Sequence, residues 1–362
     1  LGLLQGTFMT IQRPQAGRDD PLYPQARQLV LFHGDADIAR LQRSLRIGYQ
    51  HALSLREAMR DDILEYCTNS NTWRIVKAVD MAHDPMLEGK LAQAADWIHN
   101  ASCMVIAAGA GMSIDSGLPD FRGDNGFWRA YPALGRSRLR FEDIASPQAF
   151  KKHPATAWGF YGHRLALYRR TVPHAGFGQL QRWGARMHQG LSVFTSNVDG
   201  QFQMAGYSAD AVHECHGSIH HLQCLEGCSD AIWPADDFVP DVDEATCRLR
   251  NAPPRCPHCG GLARPNILMF NDWDWLETRT ASQHAHQQRW LQGVRRPVVI
   301  ELGAGTAIPS VRHFSHRILH AHGGRLIRIN PRECEVPTRS DVGLRLGAAQ
   351  GLALVEQALS AA

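Results

Sequence analysis

The sequence predicts an α/β protein with a doubly wound, parallel sheet, an inserted small module and a mainly helical N-terminal extension. Helical segments, such as residues 154–170 and 309–320, separate short apolar runs that are typical of buried strands. These runs lie at residues 103–108, 191–195, 298–302 and 326–329. Buried strands that alternate with helices imply a parallel sheet covered on both faces. Between residues 217 and 265 the pattern breaks down into Cys, Pro, Asp and Trp, which indicates the inserted module.

The N-terminal part of the chain carries no motif with a chemical role. Residues 1 to about 25 are rich in Pro, Arg, Asp and Gln, which predicts a flexible lead-in. A strand is predicted at residues 29–33, and helices are predicted at residues 38–45 and 53–66, where apolar residues recur three and four positions apart. This part could be a helical appendage, a docking element or a regulatory arm.

Asp84-Pro85 predicts a boundary, because the residue before a proline avoids the helical region. Residues 86–99 then predict an amphipathic helix that leads into the first strand of the sheet. We therefore expect an N-terminal extension of unknown role at residues 1–85. The main domain is expected at residues 86–358, and the small module within it at residues 217–265.

The composition argues against several classes of partner. The 38 basic and 35 acidic residues leave a net charge of +3, which gives no indication of nucleic-acid binding. No run approaches the roughly 20 apolar residues of a membrane helix, and no basic segment precedes an apolar core as in a secretory signal. Nine cysteines, four of them in two close pairs, favour metal ligation in a reducing compartment over disulfides. We therefore expect a cytoplasmic protein without a membrane partner.

Glycines follow the first apolar run and precede small residues that can begin a helix. Such glycines let the backbone approach a ligand, and free N–H groups at a helix start favour phosphate. Gly109-Ala110-Gly111 alone has little specificity, because any tight turn between strand and helix can use this pattern. It continues, however, into Ser113, Ser116-Gly117 and Pro119-Asp120-Phe121-Arg122-Gly123, which packing alone does not require. The stretch resembles the NAD-binding signature of the sirtuin (Sir2) deacylases.

The resemblance covers about residues 88–358, with the motifs in the order that the family has. It implies a large Rossmann-like NAD-binding domain, a small zinc module and an acyl-lysine tunnel between them. It also implies that Phe121 shields the reacting centre from water and that Arg122 helps to fix the phosphates or the loop. The residues implied to contact NAD are Gly109, Ala110, Gly111, Ser113, Asp120, Phe121, Arg122, Ser196, Asn197, Asp199, Gly303, Gly305 and Asn330.

A second motif, Thr195-Ser196-Asn197-Val198-Asp199, follows another predicted strand, at the edge where α/β sheets bind ligands. Asn and Asp are also common turn residues, so a plain loop is the alternative. The segment resembles the sirtuin element T-Q-N-(I/V)-D. This resemblance implies that Asn197 and Asp199 line the nicotinamide pocket and belong to the catalytic set. Ser196 stands where the family usually has glutamine, so a longer contact is lost.

A histidine-rich segment precedes the first cysteine pair, and a histidine can act as a general base near neutral pH. Residue type alone does not distinguish His216 from His213, His220 and His221. The dipeptide His216-Gly217 resembles the HG of sirtuins, and this resemblance makes His216 the catalytic histidine. In that family the histidine draws a proton from the nicotinamide ribose.

Two close cysteine pairs, Cys224 with Cys228 and Cys256 with Cys259, supply four thiolates for a tetrahedral zinc site. Ordinary buried thiols are the alternative. Cys247 lies between the pairs and is expected not to be a ligand. A closed four-thiolate site has no open position, so the zinc is expected to hold structure and not to perform chemistry.

The predicted helix at residues 154–170 carries Tyr161 and Arg164 on one face. A guanidinium binds a carboxylate through two parallel hydrogen bonds, and a phenol can add a third. A surface arginine beside a core tyrosine is the alternative. The pair resembles the Y-x-x-R of the sirtuins that remove succinyl, malonyl or glutaryl groups from lysine. The resemblance implies a pocket for acidic acyl groups and does not exclude deacetylation.

The segment after the second cysteine pair resembles the sirtuin segment ending in F-G-E, which pairs as a strand with the substrate peptide. This resemblance implies that Met269 and Phe270 contact the substrate. Asn271 and Asp272 depart from the family pattern of glycine and glutamate. Asparagine tolerates the left-handed conformation better than most residues, so the turn is expected to survive.

The resemblance implies an NAD-dependent protein-lysine deacylase, with acetyl, succinyl or malonyl as the acyl group and acyl-lysine proteins as substrates. The acyl group is transferred to ADP-ribose, and nicotinamide is released. One alternative is ADP-ribosyl transfer or NAD hydrolysis in the same pocket, for which the departures at Ser196 and Asn271 leave room. Another is a noncatalytic NAD-sensing scaffold, against which the presence of His216, Asn197 and Asp199 argues.

Overall fold

The structure of the protein, a computed structural model, describes residues 20–33, 36–59, 64–67, 72–75, 85–119, 127–128, 130–136 and 138–361. The chain divides into two compact units, Leu1–Glu88 and Gly89–Ala362. Most of the predicted lead-in, residues 1–19, lies outside the described residues. The predicted domain bounds stay predictions.

Within its described residues, ahead of residue 85, the N-terminal unit contains three helices and a short β-hairpin. The helices are α1 (Tyr23–His33), α2 (Ile38–Leu45) and α3 (Tyr49–Ala58). In the hairpin, β1 (Leu64–Cys67) pairs with antiparallel β2 (Thr72–Ile75). Apolar side chains from the three helices form one core, which includes Ala26, Val30, Leu41, Ala52 and Leu55.

Two predictions for this unit are wrong. The strand predicted at residues 29–33 is the end of α1, because its apolar residues continue a helical pattern that begins with Tyr23 and Ala26. A short apolar run does not by itself distinguish a strand from a buried helix. The helix predicted at residues 53–66 ends at Ala58, and its last residues form β1. The helix predicted at residues 38–45 is confirmed.

A six-stranded parallel sheet forms the centre of the second unit, as predicted. Its strands are β3 (Met104–Ala108), β4 (Leu191–Thr195), β5 (Val212–Glu214), β11 (Val298–Leu302), β12 (Arg325–Ile329) and β13 (Val342–Leu344). The strand order is β13-β12-β11-β3-β4-β5, and each neighbouring pair is parallel. The chain therefore winds outward from the centre of the sheet twice, once in each direction, which is the doubly wound arrangement.

Helices cover the sheet, and every residue of β3 and β11 is buried. From Pro85 onward, the described helices are α4 (Pro85–His99), α5 (Ala110–Ile114), α6 (Pro132–Arg136), α7 (Phe141–Ile144), α8 (Pro147–Lys152), α9 (Pro154–Arg170), α10 (Ala175–Ala185), α11 (Gln201–Met204), α12 (Thr278–Gln292), α13 (Ser310–His322) and α14 (Ala348–Ala361). Val105 and Ala107 of β3 pack against Val311 and Phe314 of α13. Among the described helices, none is long and apolar enough to cross a bilayer.

The inserted module consists of five short strands between β5 and α12. They are β6 (Gly217–Cys224), β7 (Ile232–Pro234), β8 (Val242–Asp243), β9 (Arg248–Leu249) and β10 (Ala263–Ile267). β6 lies between antiparallel β10 and β7, and β8 pairs with β9 in a separate hairpin. The alternation of strands and helices ends here, as the change in composition predicts. Short antiparallel strand pairs replace it.

Helix α9 lies very close to the β8–β9 hairpin. A Cβ atom at Gly159 would lie 2.2 Å from the carbonyl oxygen of Cys247, and one at Gly162 would lie 2.8 Å from Pro240. The indole of Trp158 is buried and donates a hydrogen bond to the carbonyl oxygen of Ala263 at 3.0 Å. The missing side chains therefore allow α9 to join the core of the module.

One ion pair of the module is fully buried. Both guanidinium ends of Arg264 donate to the carboxylate of Asp272, each at 2.7 Å, and neither side chain is exposed. Such a bidentate pair is strong only while both charges are present, because a single charge left in the interior is costly. Asp272 thus holds the turn after β10 in place.

We expect Asp272→Ala to lower the free energy of unfolding by about 3–5 kcal/mol, because it leaves the buried charge of Arg264 without its carboxylate. Urea denaturation followed by circular dichroism measures this change. Asp274→Ala is the matched control, since Asp274 is exposed in the same loop and contributes its backbone carbonyl to a hydrogen bond. Equal stability of the two variants would contradict the prediction.

Candidate active site

The predicted site residues lie at one edge of the sheet. The order of the strands reverses between β3 and β11, and α/β sheets bind ligands at such a point, beyond the carboxyl ends of the strands. The residues that follow the strand ends there are Gly109 after β3, Ser196 after β4, His216 after β5, Gly303 after β11 and Asn330 after β12. The topology therefore brings together motifs that are far apart in the sequence.

The glycine-rich loop after β3 packs against the loop after β11. A Cβ atom at Gly111 would lie 2.6 Å from the Cα atom of Gly303, and Gly303 has a φ angle of 59°, which favours glycine. The N–H of Gly111 donates to the carbonyl oxygen of Gly303 at 3.1 Å, and the N–H of Gly109 donates to that of Leu302 at 2.9 Å. The N–H groups of Gly109 and Gly111 are thus bonded within the fold, and contact of this loop with NAD stays a prediction.

Ser113 connects the glycine-rich loop with the loop after β4. The side-chain amide of Asn197 donates to the hydroxyl of Ser113 at 3.1 Å, and Asp199 is also hydrogen-bonded to this hydroxyl. Burial raises the pKa of Asp199, and the hydrogen bonds from the backbone of Gln201 and from Ser113 oppose this effect. Ser113, Asn197 and Asp199 are all buried and form one polar cluster.

His216 lies beside this cluster. Burial lowers the pKa of its imidazole, and a hydrogen bond to the backbone of Ser196 opposes the shift. The neutral imidazole therefore predominates at pH 7, and it is the form that can accept a proton. Its Nε2 atom lies 3.4 Å from the hydroxyl of Ser310, at the start of α13. Sequence reasoning missed Ser310, which has no motif around it and reaches the histidine only through the fold.

The competing histidines have other surroundings. His213 is buried, and its Nδ1 atom lies 3.0 Å from the side-chain oxygen of Gln287. Nε2 of His220 lies 2.9 Å from the carbonyl oxygen of Asp199. Burial lowers the pKa of His221 to about 4. His213 and His220 thus make structural contacts, and this geometry favours His216 as the base.

Asn330 supports the loop that contains Gly303 and Gly305. Its amide donates to the carbonyl oxygen of Ala304 at 2.8 Å, and its oxygen accepts from two backbone N–H groups at 2.9 Å each. The guanidinium of Arg312 donates to the same carbonyl oxygen at 3.1 Å. Contacts of Gly303, Gly305 and Asn330 with NAD stay a prediction.

The prediction for Asp120, Phe121 and Arg122 falls on residues outside the described ranges. Their assignment to the NAD site therefore stays a prediction. The glycine-rich loop before them and helix α6 after them are both described, so the predicted NAD signature is described up to Pro119.

Tyr161 and Arg164 are buried in α9, which excludes the alternative of a surface arginine. The guanidinium of Arg164 donates to the hydroxyl of Tyr168 through two nitrogens, at 2.7 and 2.9 Å. It also lies 5.1 Å from the ring centre of Phe160 and 5.6 Å from that of Tyr161. Burial raises the pKa of Tyr161 to about 12, so its phenol is neutral and can donate. Tyr168, one turn beyond Arg164, is a member of this cluster that sequence reasoning missed.

Met269 and Phe270 follow β10 in a turn. The N–H of Leu268 donates to the carbonyl oxygen of His216 at 3.0 Å, and the N–H of Phe270 donates to that of Ala145 at 2.9 Å. The segment thus connects the loop of the histidine with helix α7 and its neighbours. Asn271 has a φ angle of 53°, the left-handed conformation that was expected at this departure. Contacts of Met269 and Phe270 with a substrate stay a prediction.

The four predicted zinc ligands form a cluster at the end of β6. The Sγ atoms of Cys224, Cys228, Cys256 and Cys259 all lie within 4.8 Å of one another. Two of the distances, Cys224 to Cys259 and Cys228 to Cys256, are 3.7 and 3.5 Å. Tetrahedral Zn–S bonds of about 2.3 Å place sulfur atoms roughly 3.8 Å apart, so the cluster fits a zinc ion. Cys247 is not a member, since it is buried against Gly159 of α9.

Comparison with known proteins agrees with this geometry. The model of the Sir2 family matches residues 109–290, half of the chain. A second family model, the Ftsk gamma domain, matches residues 17–74. A solved complex of a Sir2 homologue with NAD has a TM-score of 0.57 at 25% identity, and the match covers 77% of this chain and 95% of that chain.

Curated relatives align with two thirds of the chain or more. The NAD-dependent protein deacylase of Thermococcus kodakarensis is 28% identical over 260 residues, which are 70% of this chain and 90% of that protein. The NAD-dependent protein deacylase of Pyrococcus furiosus is 30% identical over 249 residues, or 67% of this chain and 88% of that protein. Because a family model spans half of the chain and a relative at 30% identity aligns with two thirds of it, the chain belongs to the Sir2 family.

Proposed function

We propose that this member of the Sir2 family is an NAD-dependent protein-lysine deacylase, which transfers the acyl group to ADP-ribose and releases nicotinamide. The observation that carries the proposal is the polar cluster at the carboxyl edge of the sheet. There Asn197 and Asp199 are both hydrogen-bonded to Ser113, and His216 is bonded to the adjacent backbone of Ser196. The aligned relatives from Thermococcus and Pyrococcus are themselves named NAD-dependent protein deacylases.

The residues of the cluster suit this chemistry. NAD supplies a ribose carbon that gains positive charge as the bond to nicotinamide breaks. His216, partly buried and neutral, accepts a proton from a ribose hydroxyl, which is the work of a general base. Asn197 and Asp199 line the nicotinamide pocket, and Ser113 orients both side chains. The closed cysteine cluster is proposed to hold zinc as a structural ion.

Within this activity we propose a preference for acidic acyl groups. Tyr168 holds the guanidinium of Arg164 through two hydrogen bonds, and aromatic rings surround it. A buried cation attracts a carboxylate strongly, because the interior screens charge less than water does. Burial raises the pKa of Tyr168, the charge of Arg164 opposes this shift, and the charge of Asp199, of the proposed nicotinamide pocket, adds to it, so the arginine cluster lies within electrostatic reach of the proposed catalytic residues.

A cleft of about 660 Å³ beside Phe270 and Asn271 is the proposed path of the substrate protein. Its lining includes Ile144, Lys151 and Trp273, of which Trp273 is almost fully exposed. An exposed aromatic side chain next to a cleft suits contact with an extended peptide. Acyl-lysine proteins in the cytoplasm are the proposed substrates.

The test compares acetyl-, malonyl-, succinyl- and glutaryl-lysine peptides with NAD, with mass spectrometry of each product. We expect faster removal of the acidic acyl groups. We expect Arg164→Met to lower kcat/KM for these groups by about tenfold to 100-fold, since a hydrogen bond to a charged group contributes roughly 1.5–3 kcal/mol. Turnover of the acetyl peptide should change only a few-fold.

Arg170→Met is the matched control, because Arg170 is exposed on the same helix. Thermal melting of both variants shows whether Arg164→Met is folded. Acetyl-biased turnover that Arg164→Met leaves unchanged would contradict the acidic-acyl preference and leave a deacetylase. Free ADP-ribose formed without any acyl peptide would favour NAD hydrolysis or ADP-ribosyl transfer, and unchanged NAD would favour the noncatalytic scaffold.

A further inference from the structure

Two loops meet at the carboxyl edge of the sheet, on the side away from the proposed nicotinamide pocket. One loop follows β11 and contains Gly305 and Thr306, and the other follows β12 and contains Asn330 and Glu333. The strand order places β11 and β12 on one side of β3, and β4 and β5 on the other. A dinucleotide crosses such a switch point with one nucleotide on each side. With nicotinamide over the loops after β4 and β5, the adenosine of NAD therefore belongs over the loops after β11 and β12.

The carboxylate of Glu333 is held between these two loops. Its Oε1 atom accepts from the hydroxyl of Thr306 at 3.1 Å, and its Oε2 atom accepts from the guanidinium of Arg312 at 3.2 Å. The backbone N–H of Glu333 donates to the side-chain oxygen of Asn330 at 2.9 Å. The side chain of Glu333 is nevertheless 37% exposed. Because a carboxylate has about four acceptor sites, this fixed group can still accept a hydrogen bond from a ligand hydroxyl.

The backbone beside this carboxylate leaves room for a sugar. Apart from its chain neighbours, a Cβ atom at Gly305 would meet only the Oε2 atom of Glu333 among the described residues, at 3.8 Å. Thr306, the next residue, is exposed. A fixed acceptor beside an open glycine suits the hydroxyl groups of a ribose. The residues present at this edge therefore fit the adenosine half of NAD.

Glu333 also covers a largely buried cation. The side chain of Arg312 is only 11% exposed, and it donates to the carbonyl oxygen of Ala304 at 3.1 Å as well as to Glu333. Arg332 is exposed, so solvent screens its charge strongly. Two other arginines of this edge have carboxylate partners of their own, since Arg328 pairs with Glu301 and Arg345 pairs with Glu335. Without the charge of Glu333, the guanidinium of Arg312 would therefore attract an anion at this edge.

We propose that Glu333 makes this site select NAD over NADP. The two dinucleotides differ only in a phosphate on the 2′-hydroxyl of the adenosine ribose. A free 2′-hydroxyl can donate to the carboxylate, whereas a 2′-phosphate brings roughly two negative charges next to it. Sites that accept this phosphate use an arginine, and here Glu333 neutralises Arg312. The inference rests on the proposed function, because it takes NAD as the cofactor.

The experiment measures Kd for NAD and for NADP by isothermal titration calorimetry of the full chain, purified with zinc. We expect the unchanged protein to bind NADP about 30-fold more weakly than NAD, or weaker still. Glu333→Gln keeps the shape of the side chain but removes its charge. This variant should reduce the ratio of the two Kd values by about tenfold, mostly through tighter binding of NADP. The gain should shrink as the salt concentration rises, because salt screens the attraction between Arg312 and the phosphate. ADP-ribose and its 2′-phosphate should show the same pattern, since they retain the adenosine half.

Glu335→Gln is the matched control, because Glu335 is an exposed carboxylate of the same loop that pairs with Arg345 at 3.1 Å. Its ratio of Kd values should stay within about twofold of that of the unchanged protein, since solvent screens an exposed pair. Thermal melting shows whether both variants are folded. The inference is overturned if the unchanged protein binds NAD and NADP equally, or if Glu333→Gln shifts the ratio no more than Glu335→Gln does. If neither NAD nor ADP-ribose bound to the unchanged protein, the proposed function would fall together with the inference.

Discussion

Replacement of His216 by alanine is expected to lower kcat/KM for NAD-dependent deacylation by about 10²- to 10⁴-fold, the range that a positioned general base contributes. The reason is the surroundings of the imidazole, which is kept neutral by burial and bonded to the backbone of Ser196. Release of nicotinamide from NAD with an acyl peptide measures the loss. Because the side chain is only partly buried, the variant should fold and melt at nearly the same temperature.

The pH profile of the same reaction provides a second readout. Only a neutral imidazole accepts a proton, so activity falls as the pH drops through the pKa of His216. Burial lowers this pKa below its ordinary value of 6.5. The acid limb of kcat/KM is therefore expected to have its midpoint below pH 6.5, with a plateau around neutral pH. A midpoint above pH 6.5 would mean that another group limits the reaction.

His188→Ala is the matched control, because His188 is exposed in the turn before β4. His220→Ala tests the nearest competitor, whose imidazole contacts the carbonyl oxygen of Asp199. This variant is expected to lose far less activity than His216→Ala, since it perturbs only the support of Asp199. If His220→Ala abolished turnover while His216→Ala kept more than a tenth of it, the base would have to be reassigned to His220.

The strands of the central sheet were predictable because each is a short apolar run between helices. The runs at residues 191–195 and 298–302 coincide with β4 and β11, and the helix at residues 154–170 coincides with α9. The same reasoning fails at residues 29–33, where a run of similar length belongs to α1. Only Tyr23 and Ala26 distinguish a helix from a strand there, because they supply earlier turns of the same buried face.

The motif residues of the candidate site were predictable, but their mutual contacts were not. Gly111 and Gly303 each follow a strand, yet only the strand order shows that their backbones touch. Ser310 has no motif, and it joins the site only because α13 carries it to His216. Tyr168 has no motif either, although its spacing of one helical turn from Arg164 is one at which side chains meet. Contacts between elements distant in sequence depend on packing, which a single sequence does not encode as a local pattern.

Loss of the zinc site is expected to have the largest effect on stability. Cys256→Ser removes one of the four thiolates, and structural zinc contributes about 10–16 kcal/mol of apparent binding free energy in small zinc domains. The cluster joins the end of β6 to the segment before β10. We expect the variant to bind less than half of the zinc of the unchanged protein and to melt at a much lower temperature. Metal analysis and calorimetry measure the two quantities.

The zinc is expected to act on activity only through the fold. Leu222 of β6 and Ile267 of β10 belong to the same buried core as Tyr161 of the acyl cluster. When the thiolate cluster opens, these strands lose their connection, so the walls of the acyl site should separate and deacylation should cease. Cys334→Ser is the control, because this thiol lies outside the cluster, and it should keep zinc, melting temperature and activity. Retained activity in a Cys256→Ser variant without zinc would show that the acyl site does not depend on the module.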